Sequence, residues 1–70
     1  MLVIEITEQT GCGSVTVYDV NFDTEEAEQK LRFPWNEAHL HGYTSKSAAC
    51  FAARNIDAEV GTVPPHFKIL

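Results

Sequence analysis

Near the start of the chain, positions alternate with period two, and a second β-rich run follows within the first twenty residues. Leu2, Ile4 and Ile6 alternate with Val3, Glu5 and Thr7, and Val15, Thr16, Val17, Tyr18 and Val20 give the second run. β-Branched residues at that period predict two strands. Between them, residues 10–14 read TGCGS, and two glycines so close together predict a tight turn. The pair therefore reads as an antiparallel hairpin. In FDTEEAEQKLRF the signals change. Asp23 and Glu26 stand at capping-box spacing, and Glu25 and Glu26 would lie in a first helical turn, where anions are favoured. Glu26 with Lys30, and Glu28 with Arg32, are i,i+4 pairs. These features predict a short acidic helix over about residues 24–32, closed by Pro34, which disfavours a helical Phe33.

Trp35 and Asn36 after the proline suggest a turn. EAHLHGY then suggests a third strand, with Ala38 and Leu40 on one face and His39 and His41 on the other. The segment YTSKSAACFAARNIDAEVG predicts the main helix, about residues 45–60. Thr44 or Ser45 can cap it. Ala48, Ala49, Ala52, Ala53, Ile56 and Val60 form its apolar face, and Gly61 stands where a C-terminal cap belongs. A face built of alanine lets the helix axis lie close to a sheet. Pro64 and Pro65 end regular structure, and residues 66–70 alternate again, suiting a last strand at a sheet edge. The expected fold is α+β, one small domain over residues 1–70. A three- or four-stranded, mainly antiparallel sheet would carry one alanine-faced helix and the short acidic helix.

The string GYTSKSAA, residues 42–49, resembles the repeat of the YegP-like family of small prokaryotic domains. Gly42, Tyr43, Thr44, Ser45, Lys46 and Ala48 match its helix start. Asn36 and Glu37 stand for its turn without the turn's glycine, and Val15, Val17 and Tyr18 stand for its aromatic strand. The acidic run at residues 23–30 departs from the pattern. The resemblance implies a three-stranded sheet with one packed helix, in tandem or paired copies, and implies no mechanism.

Charge narrows the function. Ten acidic residues face five basic ones, for a formal charge of −5. The cations are scattered, whereas a phosphate-gripping protein needs several converging on one face; direct nucleic-acid binding is not expected. The N-terminal run has no basic n-region and Glu5 interrupts it, so it does not read as a signal peptide. No stretch approaches the roughly 20 apolar residues of a membrane span. A cytoplasmic setting is the expectation, with Cys12 and Cys50 as free thiols.

Candidate chemistry is sparse. His39, His41, Cys12 and Cys50 form the one metal-type set, but no CxxC or HxxxH spacing supports it, so no metal or cofactor is expected. Cys12 lies between glycines, and nothing adjacent in sequence would activate it as a nucleophile. A small-molecule substrate and an enzymatic role are likewise not expected. The distinctive feature is an acidic cluster: Asp23, Glu25, Glu26 and Glu28, with Asp19 nearby. Its functional reading is a patch that docks on the basic surface of another protein. Trp35 is either a core anchor or an interface aromatic. The expected role is a non-catalytic protein-binding module: an acidic inhibitor or regulator of a nucleic-acid-handling partner, similar in type to phage and mobile-element anti-defence proteins. The alternative is a YegP-like structural domain that pairs with itself through a sheet edge.

Overall fold

A computed structural model of the protein describes residues 1–38 and 42–70. Three long strands form an antiparallel meander: β1 (Leu2–Gln9), β2 (Cys12–Asn21) and β3 (Glu26–Asn36). A single helix, α1 (Lys46–Ala53), follows, and then two short strands, β4 (Glu59–Val60) and β5 (Lys68–Ile69). Both short strands add in parallel, β4 beside β1 and β5 beside β3, giving the sheet order β4-β1-β2-β3-β5. The fold is α+β, as expected. The three long strands are antiparallel, as expected, but the two short parallel additions make the sheet mixed, with five strands rather than three or four.

The hairpin is tighter than the glycines suggested. Gln9 pairs with Cys12, so only Thr10 and Gly11 form the loop, with Gly11 in the left-handed region at φ 78°. Cys12, Gly13 and Ser14 belong to β2.

The predicted acidic helix over residues 24–32 does not form: Thr24 and Glu25 belong to a turn and residues 26–32 to β3. Helix propensity is a weak prior that packing overrides. A helix there would bury little beyond Ala27 and Leu31. As β3, the same residues run on through Phe33 and Trp35 and lay a third strand along β2, whose Ser14–Val17 stretch is continuously buried. The i,i+4 pairs predicted for a helix do not form; Glu28 instead meets Lys30 at 3.4 Å, two residues on. A bulge opposite Val17 and Tyr18 leaves Lys30 without a register partner. Trp35 and Asn36, expected in a turn, end this strand. Pro34 is tolerated because its carbonyl faces the outer side of β3, where it accepts from the Tyr43 N–H at 3.4 Å.

The main helix is shorter than the 45–60 expected. The Ser45 hydroxyl accepts from the Ala48 N–H at 3.1 Å and caps it. It ends at Ala53, because Ile56 and Ala58 reach the core from an irregular segment, and Glu59–Val60 pair with β1. Gly61 is therefore no helix cap; its N–H donates to the Ile4 carbonyl at 2.9 Å. The proposed third strand at residues 37–43 falls partly outside the described residues. Of its flanks, Glu37 and Ala38 form a turn, and Tyr43 makes one parallel bridge to Trp35.

Two separate cores lie on opposite faces of the sheet, because consecutive strand residues point opposite ways. On one face, Ile4, Val15, Val17 and Trp35 pack under Ala49 and Ala53 of α1. On the other, toward the far end, Val3, Val20 and Ala27 pack under Val63 and Phe67 of the C-terminal segment. Each face is therefore covered at one end and open at the other. No helix among the described residues is long and apolar enough to cross a membrane.

Candidate functional site

The acidic residues gather at the end of the sheet that α1 leaves uncovered. The turn between β2 and β3, Phe22–Glu25, is shaped by Asn21, whose side-chain oxygen accepts from the Asp23 N–H at 2.9 Å and the Thr24 N–H at 3.2 Å. Glu25 completes the turn at φ 56°, an uncommon conformation for a residue with a side chain. The register then sets Asp19 opposite Glu28 and Asn21 opposite Glu26. Alternation places all four on the face that α1 covers farther along.

An open cleft of about 560 Å³ results, lined by Asp19, Asp23, Glu26 and Glu28 together with Phe22 and Leu70. Its lining, among the described residues, contains no lysine or arginine. The cation in it is the Met1 ammonium, 3.3 Å from Asp19 Oδ1, and Lys30 reaches Glu28 from outside the lining. Phe22 is 53% exposed, with its ring edge against Phe67 at 5.4 Å between centroids. Of the predicted set, Asp23, Glu26 and Glu28 come together here and Asp19 joins them. Glu25 does not. Its carboxylate turns to His66 Nε2 at 2.9 Å, and its carbonyl accepts from the Lys68 N–H at 2.9 Å. It tethers the C-terminal strand instead.

Trp35 is 4% exposed, so the core alternative holds for it, and its ring offers almost no surface to a partner. The reason is its register partner, Gly13, which leaves room for the indole to lie flat on β2. The sequence signal for this is the glycine itself, a strand residue here rather than part of the turn that TGCGS predicts.

Cys12 lies in β2 with Gln9 and Asn36 as ladder partners, neither of them a base or a cation. Its thiol stands 4.0 Å from Gln9 Oε1. This is no nucleophile–base pair. His39 and His41, the other half of the candidate metal set, lie outside the described residues. Among the described residues, no group of three or more His, Cys, Asp or Glu is placed to hold a metal ion.

The GYTSKSAA segment does identifiable structural work: Tyr43 bridges to β3, Ser45 caps α1, and Ala49 is fully buried in the core. No family model matches the chain, and no curated protein or solved structure matches it either.

Proposed function

We propose that this chain is a non-catalytic protein-binding module whose acidic cleft, at the β2–β3 turn, receives a cationic surface of another protein. One observation carries this reading. Four carboxylates line a single open cleft beside exposed Phe22 and Leu70. The Met1 ammonium pairs with Asp19 and Lys30 with Glu28, while among the described residues Asp23 and Glu26 have no ion-pair partner, so the carboxylates outnumber the cations that meet them. Carboxylates held this way attract cations over a Debye length of about 8–10 Å and mainly set on-rate and partner choice. The adjacent apolar groups give such a contact a part that desolvates. Within this class, the partner is a protein whose basic surface ordinarily handles nucleic acid, and the chain acts as its acidic inhibitor or regulator, in the manner of anti-defence proteins of phages and mobile elements. The formal charge of −5 supports that choice.

The test is an affinity capture from host lysate at low and high salt, repeated with Asp23→Asn/Glu26→Gln/Glu28→Gln. A control variant carries the same charge change elsewhere, at Glu37, Asp57 and Glu59. The reading requires a captured basic protein that is lost in high salt and in the cleft variant but kept by the control. Equal loss in both variants, or in neither, sinks it.

A further inference from the structure

The two outer edges of the sheet are protected to different degrees. The outer side of β3 is taken at one end by β5 and at the other by Tyr43, which donates to Pro34 O and accepts from Asn36 N. The gap between them, residues 28–33, holds the bulge, Lys30 and Arg32. Bulges and edge cations are the usual means of refusing another strand.

The edge of β1 has no bulge and no cation of its own; the one basic group beside it among the described residues is Lys46 of α1, at Glu8. β4 covers Val3 and Ile4 only, and Gly61 closes on the Ile4 carbonyl. Because Ile4 bonds outward, alternation turns the N–H and C=O of Ile6 and Glu8 outward as well. Among the described residues, nothing pairs with them. The stretch Ile6–Gln9 carries no proline, lysine or bulge. It is a regular edge continuing the line of β4.

From this edge we infer a strand-docking site: the backbone of Ile6 and Glu8 takes up an extended, cationic segment of a partner protein as an added strand. A second copy of the chain fits poorly. An antiparallel self-pairing centred on Thr7 would set the copy's Gln9 beside Glu5, the place that Gly61 fills in the β4 register. The next symmetric register outward, centred on Glu8, would set two like carboxylates opposite each other. A cationic segment instead meets the exposed carboxylate of Glu8, displacing Lys46 from a solvent-exposed pair at 3.5 Å that is worth little in water. The site lies at the hairpin end of the sheet, apart from the acidic cleft, and stands independently of it.

The experiment is a titration of the whole chain with the peptide acetyl-Thr-Lys-Val-Lys-Thr-amide, followed by backbone amide NMR. Shifts are expected at Ile6 and Glu8, with slowed amide exchange at both. Glu8→Pro removes an outward N–H while leaving the β2 ladder intact, and should weaken binding on the order of tenfold, the worth of about one or two hydrogen bonds. Glu8→Gln keeps the N–H and should retain the exchange protection. Should Glu8→Pro not fold, the same peptide N-methylated at alternate residues removes the ladder from the ligand side and should bind as weakly. Shifts centred elsewhere, or N-methylated peptide binding equally well, would overturn the site. So would shifts at Ile6 and Glu8 that grow with protein concentration alone, since these would mean self-pairing.

Discussion

The indole of Trp35 lies across Gly13, its register partner on β2, so closely that a Cβ at Gly13 would stand 2.5 Å from Cζ2 and Cη2 of the ring. The same Cβ would come within 2.1 Å of the Thr7 carbonyl oxygen on the other side. Backbone cannot yield as a flexible side chain would. Gly13→Ala is therefore expected to destabilise by about 1–3 kcal/mol, the usual cost of overpacking. For a domain of this size, each kcal/mol lowers the Tm by roughly 4–8 °C. Thermal unfolding by circular dichroism measures it, and an unchanged Tm would mean that the ring is not seated on β2.

Burial of Trp35 has a spectroscopic consequence. As the sole tryptophan, 4% exposed, it should emit at short wavelength in the folded chain and shift to the red on denaturation. Iodide should quench it weakly before unfolding and strongly after. Native emission already at the denatured wavelength would contradict the packing of β3 on β2.

Ser45→Ala removes the side-chain acceptor for the Ala48 N–H. The expected loss is about 1 kcal/mol, read as a lower denaturant midpoint at unchanged slope. Ser45→Asp should retain most of the stability. With only eight residues, α1 has little propensity of its own to fall back on.

Glu25 sits at φ 56°, which costs a residue with a Cβ about 1–2 kcal/mol. Its exposed pairing with His66 offsets little of that. Glu25→Gly should leave stability unchanged or raise it by up to about 1 kcal/mol, whereas Glu25→Val should lower it. Neither change removes a carboxylate of the cleft, so both should leave a salt-sensitive partner bound. Partner loss in Glu25→Gly would move the binding surface away from the cleft lining.

Cys12 and Cys50 stand on opposite sides of the sheet, Cys12 sharing a face with Ser14 and Cys50 packing with the α1 core. A bond between them would have to pass through β2. Mass spectrometry after mild oxidation of the folded chain should find no internal disulfide. Both thiols, half-buried, should react with a small alkylating reagent.

The hairpin was legible because period-two alternation with β-branched residues has one local meaning and a glycine turn marks its register. The capped start of α1 was legible for the same kind of reason: Ser45 and the alanines after it act within one turn. Residues 24–32 were not. Their capping-box spacing and i,i+4 charges were real local signals, but each is worth a few tenths of a kcal/mol, up to about one. They lose to the burial of Ala27, Phe33 and Trp35 against a strand distant in sequence.

The sequence by itself determined the local matters: the first two strands, the alanine face, and the excess of carboxylates. Only the tertiary structure decided how the acidic run is used. Pairing with β2 converts it from helix to strand, so that Asp19 comes opposite Glu28 while Glu25 is turned away to His66. Which carboxylates share a cleft depends on cross-strand register. That register begins where Trp35 finds its glycine, 22 residues away (35 − 13), and is shifted by one residue at the Lys30 bulge; no local pattern encodes either.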